Sequence, residues 1–162
     1  RPELFRSLSC HEPPLFGVLD DDPESQEMLA RDAHTLAAIG KRIAEGDHEG
    51  AARQFVEEVI FGPGAWENAL PAETRAIMVA NAPTFLDELQ DPNQSTVDRY
   101  ALANLEVPTR LTDGTESPPV LARVTDRLVE LIPGTTREAI EGAGHVPHLT
   151  TPQRYMETMT RA

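Results

Sequence analysis

The sequence is poor in cysteine and in basic residues. Cys10 is the single cysteine, so no disulfide can form within the chain, and this composition fits a reducing, cytoplasmic location. Its 14 Lys and Arg residues are outnumbered by 27 Asp and Glu residues, which gives a net charge of -13. A protein that binds nucleic acid must neutralise phosphates with basic side chains. The balance therefore argues against nucleic acid, and equally against an anionic membrane surface, as a partner.

The sequence also lacks long apolar runs and an N-terminal targeting pattern. No stretch is apolar for long enough to predict a transmembrane helix, and no basic segment followed by an apolar one predicts a signal peptide. The 162 residues suffice for one domain with a hydrophobic core. Because the first residue is not Met, we expect a processed chain or a fragment of a longer protein.

Three segments differ in their patterns. Residues 1–19 contain a β-prone run at 4–10 that ends before two prolines. Residues 20–104 have helical periodicity, with helices predicted after Pro23, over 48–60 and from about 72 to 82. Pro83 is expected to end or kink the last of these. The middle segment therefore predicts several helices with no strand between them.

Residues 105–162 predict a strand–helix–strand–helix unit. The strands are expected at 107–112 and 136–140, with a turn at Asp113-Gly114. Ser117 is predicted as the N-cap of the intervening helix, and a last helix begins near Pro152. This alternation is typical of parallel strands, and hence of an α/β fold.

Two short motifs follow predicted strands. Residues 10–14 read Cys-His-Glu-Pro-Pro, and residues 142–148 read Gly-Ala-Gly-His-Val-Pro-His. The carboxyl ends of parallel strands share one edge of a sheet, where ligands bind in open α/β folds. Glycines around a histidine let a tight turn present the imidazole, which suits His145 as a general base. His148, three residues later, is expected to be a rim or packing residue.

The last two strands, the Gly-rich loop with His145 and the entry into the first strand resemble the C-terminal part of the α/β-hydrolase superfamily. The resemblance implies that residues 1–19 and 105–162 belong to the hydrolase core and that 20–104 are its helical lid. No Gly-x-Ser-x-Gly motif is present, so the nucleophile and the first half of that fold are not found in this sequence. We expect that half on a separate chain or in a missing segment. Alternatively, the free edge of the strand at 4–10 could pair with a second copy.

The acid of the expected Ser-His-acid triad is left open among three residues. Most of the superfamily has an Asp in a Gly-x-x-Asp turn, but residues 114–117 read Gly-Thr-Glu-Ser here. We favour Glu12, since the zearalenone lactone hydrolases are similar in having Cys-His-Glu at this point. Glu116 and Asp113 are the alternatives.

The resemblance implies acyl transfer on an apolar ester or lactone, with His145 as base and Glu12 as orienting acid. Trp66, Phe61 and Phe85 either line an acyl pocket or belong to the core. No metal or other cofactor is expected, because the histidines and the cysteine lack ligand spacing. The alternatives are a non-catalytic module that binds a ligand or a protein, and a cofactor-free relative such as a haloperoxidase or C–C hydrolase.

Overall fold

The computed structural model describes residues 4–160, which belong to two compact units. The first unit contains all three strands and is made of residues up to Gln26 together with those from Ser95 onward. The second unit, Glu27–Gln94, contains only helices and is shorter at both ends than the predicted helical segment of 20–104. Residues 1–3 of the predicted core segment lie outside the described residues.

The sheet has the parallel order β1-β2-β3, with β1 at Leu8–His11, β2 at Thr109–Gly114 and β3 at Thr136–Ile140. Helices flank this sheet. The α/β class expected from the sequence is thereby confirmed, and the carboxyl ends of all three strands lie at one edge.

The first strand is shorter than the predicted 4–10. It begins only at Leu8, whose N–H donates to the carbonyl of Pro108 over 2.9 Å. Pro108 immediately precedes β2 and has no N–H to donate, which limits the ladder at that end.

The second strand is displaced toward its C-terminus relative to the predicted 107–112. Asp113 and Gly114, expected in a turn, are paired with Ala139 and Ile140 of β3. Pairing with β3 therefore extends β2 by two residues and carries Gly114 to the edge of the sheet.

The structure contains eight α-helices in the described residues, and their bounds are α1 Pro23–Ala44, α2 His48–Phe55, α3 Ala65–Asn68, α4 Ala72–Gln90, α5 Arg99–Ala103, α6 Pro119–Leu131, α7 Pro147–Thr150 and α8 Pro152–Thr160. A 3₁₀ turn at Phe16–Leu19 precedes α1, and a π-helical turn at Val56–Ile60 continues α2. The short α7, which contains His148, was not expected from the sequence.

Helix α6 covers the sheet of the first unit. Val120, Leu121, Val124 and Leu128 are buried and recur at helical spacing, and α6 contacts both β2 and β3. Burying an aliphatic side chain of this kind contributes about 2 kcal/mol to the free energy of unfolding, so this face holds the helix against β2 and β3.

Arg99 of α5 shows why residues 95–104 belong to the first unit. Its guanidinium donates to the carbonyl of Val18 over 2.9 Å and pairs with Asp21. These contacts hold α5 against the 3₁₀ turn that follows β1.

The helical unit has two apolar clusters. One contains Trp66 with Ala52, Val56, Ala65 and Leu70; the other contains Ile39, Ile43, Ala51 and Ala82. Of the two outcomes expected at Pro83, an end of the helix is wrong, since α4 runs through that proline, with buried Ala82 packed in the second cluster. No helix of residues 4–160 is long and apolar enough to cross a membrane.

Candidate active site

Glu12 and His145 meet at the edge formed by the carboxyl ends of the strands. Glu12 directly follows β1, and His145 lies in the loop after β3. Nδ1 of His145 is 2.7 Å from Oε2 of Glu12. A short bond between imidazole and carboxylate is charge-assisted, and donation from Nδ1 leaves Nε2 of a neutral ring as an acceptor.

The two partners differ in exposure. The Glu12 side chain is fully buried, whereas 36% of the His145 side chain is exposed. A buried carboxylate behind a half-exposed imidazole orients the ring while leaving it accessible. This arrangement suits a general base that is held by an acid.

Several groups keep Glu12 ionised. Burial raises the pKa of its carboxyl, but hydrogen bonding by His145, Ser117 and the Gly114 backbone, with the charge interaction of His11, holds the net pKa below its ordinary value. The Gly114 N–H donates to Oε1 over 2.8 Å. The carboxylate is therefore charged at neutral pH although its side chain is fully buried.

The backbone of Glu12 is also unusual. Its φ of +43° makes it the single non-glycine residue with positive φ in the described part of the chain. Left-handed conformations are unfavourable for residues with a Cβ and cluster at functional sites. The N–H of Glu12 donates to the Thr112 carbonyl over 2.9 Å, which ties this bend to β2.

The two alternative acids are placed differently. Asp113 is buried in β2, and both of its oxygens accept hydrogen bonds from Arg137, at 2.7 and 2.9 Å. Glu116 is exposed, and its backbone N–H donates to the Ala143 carbonyl over 2.9 Å. The structure thus brings Glu12 to His145 and places Asp113 in an ion pair.

Ser117 lies beside Glu12 and does not cap α6, so the predicted N-cap is wrong. Helix α6 begins at Pro119 with Pro118 at the N-cap position and no side-chain capping bond. The buried Ser117 hydroxyl lowers the Glu12 pKa, yet its oxygen makes no hydrogen bond of standard geometry. Sequence reasoning had no signal for this placement, because the prolines after Ser117 imitate the start of a capped helix.

The other residues of the two motifs have separate environments. Cys10 is half-buried in β1, and burial raises the pKa of its thiol, which disfavours the nucleophilic thiolate. The His11 ring stacks on His145 with centroids 6.5 Å apart. His148 is exposed on α7, with its ring 6.2 Å from that of Tyr155.

The predicted pocket aromatics all lie in the helical unit. Trp66 is buried in an apolar cluster, against which Phe61 packs. Phe85 packs on Phe55, with ring centroids 5.4 Å apart, and both line an apolar cavity of about 180 Å³. Trp66 borders a second, more polar cavity of about 440 Å³ that is lined also by Glu67 and Arg75.

In residues 4–160 there is no group of three or more His, Cys, Asp or Glu side chains that could hold a metal ion.

Solved structures with the same architecture include three hydrolase-fold proteins. Est816, described as an enzyme that degrades N-acyl homoserine lactones, is 22% identical with a TM-score of 0.51; the match covers 74% of this chain and 49% of Est816. An α/β hydrolase from Sphaerobacter thermophilus is 20% identical with a TM-score of 0.50, over 91% of this chain and 56% of that protein. VinJ is 20% identical with a TM-score of 0.52, over 95% of this chain and 55% of VinJ.

These likenesses show the α/β-hydrolase fold, and the chain spans about half the length of the structures it matches. No protein-family model matches the sequence. No curated protein matches it either. The resemblance to zearalenone lactone hydrolases, which is narrower than the fold, stays a prediction.

Proposed function

We propose that this chain supplies the general base and the orienting acid of a serine hydrolase that acts on carboxylic esters or lactones. The observation that carries the proposal is the 2.7 Å hydrogen bond between His145 and the buried carboxylate of Glu12. A pair of this kind at the carboxyl edge of a parallel sheet is suited to acyl transfer.

In the proposed mechanism, the nucleophile is a serine on polypeptide outside this sequence. Nε2 of His145 accepts the serine proton as the hydroxyl attacks the substrate carbonyl, and the imidazolium then returns that proton to the leaving oxygen. Water repeats the cycle on the acyl-enzyme. Glu12 keeps Nδ1 protonated throughout and stabilises the imidazolium by its charge.

The surroundings of Glu12 support this role. Gly114 and His145 bind different oxygens of the carboxylate, so its orientation is fixed from two sides. A charge held in a buried, pre-organised position stabilises an imidazolium more strongly than a solvated charge does, and needs little reorganisation during the reaction.

Two features support the proposed substrate class. Est816, which is similar in fold, is described as degrading lactones that carry an acyl chain. The apolar cavity lined by Phe85 and Phe55, within the helical unit, is our candidate site for binding an apolar group. We therefore propose an apolar ester or lactone as the substrate.

The partner we propose is the half of the hydrolase that carries the serine. Strand β1 pairs with β2 along one edge, and among the described residues no strand pairs with its other edge. Leu4, Phe5 and Leu8 nearby are exposed apolar side chains. An open strand edge with apolar neighbours favours pairing, either with that half or with a second copy of the chain.

The test compares two histidines in the full-length protein, or in the assembly that includes the serine. His145→Ala should abolish hydrolysis of p-nitrophenyl esters and of lactones, a loss of roughly a thousandfold or more. His148→Ala is the matched control and should keep wild-type turnover. Labelling by a serine-directed fluorophosphonate should need the wild-type His145.

The same experiment separates the alternatives. A non-catalytic module would bind apolar ligands without any turnover that depends on His145, and this outcome would refute the hydrolase proposal. A haloperoxidase or C–C hydrolase relative would use the same two residues, so esters, lactones, peroxide with halide and diketones should be compared as substrates.

A further inference from the structure

Two buried polar atoms without a hydrogen bond of standard geometry lie beside the same carboxylate. In the described part of the chain, four buried side-chain nitrogen or oxygen atoms make no such bond, and these include Nε2 of His11 and Oγ of Ser117. Nε2 of His11 is 3.6 Å from Oε2 of Glu12, the oxygen that also accepts from His145. Buried polar atoms without partners are rare in folded proteins, so Nε2 of His11 is an exception that has a physical cause.

The other side of the His11 ring is fixed. Its Nδ1 is 3.0 Å from the hydroxyl of Thr112, a residue that is fully buried in β2. The ring packs edge-on against Tyr155 of α8, with centroids 5.8 Å apart, and stacks on His145. The Thr112 hydroxyl is closer to Nδ1 than to its oxygen acceptor, the Cys10 carbonyl at 3.4 Å, so we assign its proton to the bond with Nδ1. The proton of a neutral ring is then on Nε2 and faces Glu12.

Burial of the His11 ring favours that neutral state, although the neighbouring carboxylates oppose it. Burial lowers its pKa, and the positive charge of a protonated His145 lowers it further, against the raising effects of Glu12, the Gly144 backbone and Asp113. The titratable groups that face the ring are Glu12 directly after β1, Asp113 on β2, His145 in the loop after β3 and Tyr155 on α8. Asp113 is already paired with Arg137.

We propose that His11 is a positioning residue whose Nε2–H shares Oε2 of Glu12 with His145 and so tunes how strongly that carboxylate holds the base. The inference rests on the proposed function, because it concerns the same pair. The sharing has a direct consequence for acid–base behaviour. When His11 is present, part of the charge on Oε2 is engaged, and the His145 imidazolium is stabilised less than it would be by an unshared carboxylate.

The experiment compares three variants of the full-length protein. His11→Phe keeps an aromatic ring against Tyr155 but removes the donor, His11→Gln keeps an N–H donor, and Thr112→Val removes the hydroxyl that orients the ring. The readouts are the acid limb of the kcat/KM profile and the low-field proton NMR resonance of the His145 Nδ1–H. The resonance does not require turnover.

For His11→Phe, we expect the acid limb to move to higher pH by about half a unit, so that activity on that limb falls about threefold while the alkaline plateau changes little. The Nδ1–H resonance should shift in the same variant. His11→Gln should restore the wild-type profile, and Thr112→Val should move it partway.

A purely structural role would lower kcat at every pH, or lower stability, and leave the acid limb in place. That result, with an unmoved Nδ1–H resonance, overturns the inference even if His145→Ala is inactive. Conversely, turnover that survives His145→Ala overturns the proposed function, while the resonance still reports whether His11 acts on the pair. If His11→Phe does not fold, the acid limbs of His11→Gln and Thr112→Val are compared instead. An unmoved limb in both variants overturns the inference, and a limb that moves only in Thr112→Val supports it.

Discussion

The backbone N–H of Gly114 donates to Oε1 of Glu12 over 2.8 Å, across 102 residues of sequence. This bond is possible because the end of β2 approaches the bend after β1 very closely. A Cβ at Gly114 would clash with the backbone carbonyl of Ala143 and would lie 2.8 Å from Oγ of Ser117. The glycine is therefore required by space, and the orientation of the acid depends on it.

Gly114→Ala is expected to disturb both the fold and the site. Because the clash is with backbone, it cannot be relieved by a rotamer change, and we expect a loss of about 2 kcal/mol in the free energy of unfolding. Urea denaturation measures this loss, and a lowered kcat should accompany it. Gly144→Ala is the matched control, since a Cβ there meets nothing within 4 Å. Equal stability of the two variants would contradict the argument.

Substitutions at the acid separate Glu12 from the alternative Glu116. Glu12→Gln keeps the size of the side chain but removes its charge, and the amide can present a donor to Nδ1 of His145. We expect kcat/KM to fall roughly a thousandfold, as is typical when the orienting acid of a triad is neutralised. Glu116→Gln changes an exposed side chain and should leave kcat/KM near the wild-type value. The reverse pattern would make Glu116 the acid.

The Glu12 carboxyl should also make stability depend on pH. Its pKa is lowered in the folded state, so ionisation stabilises the fold above the unfolded-state pKa of about 4.3. That contribution is lost as the pH falls through the lower, folded-state value. Urea unfolding of wild type and Glu12→Gln should therefore differ at pH 7 and converge in strong acid. A difference that persists below both pKa values would show that the substitution acts through packing.

Much of this site could be predicted from the sequence, because two motifs that end parallel strands must share an edge. The α/β class and the approach of Glu12 to His145 both follow from that rule. The positions of Ser117 and His11 beside Glu12 could not be predicted in this way. The direction of a side chain at a strand end depends on where the strand stops, and β2 stops two residues later than its pattern indicates. One such shift turns Ser117 from a helix cap into a neighbour of the acid.

The Asp113–Arg137 pair should contribute to stability and not to the pH profile. The Asp113 side chain is 7% exposed, so removing Arg137 leaves a nearly buried carboxylate without its partner. We expect Arg137→Gln to lower the free energy of unfolding by about 2 kcal/mol. Asp113→Asn in the same chain should recover part of that loss, since the uncompensated charge is then gone. A shift of the acid limb in Arg137→Gln would instead connect Asp113 to the base.

The outer edge of β1 gives the prediction that tests the proposed partner. Leu8 and Glu12 donate their N–H groups to Pro108 and Thr112 on the β2 side, so the N–H groups of Ser9 and His11 point to the other edge. If a further strand pairs there, the amides of Ser9 and His11 should exchange with deuterium as slowly as that of Leu8. If the edge is open, they should exchange faster by orders of magnitude.

Native mass spectrometry of the same sample identifies the partner. A second polypeptide with a Gly-x-Ser-x-Gly motif supports the split hydrolase, and a dimer of this chain supports self-association. A monomer of 17.8 kDa in which the amides of Ser9 and His11 both exchange fast would exclude the split hydrolase and self-association alike.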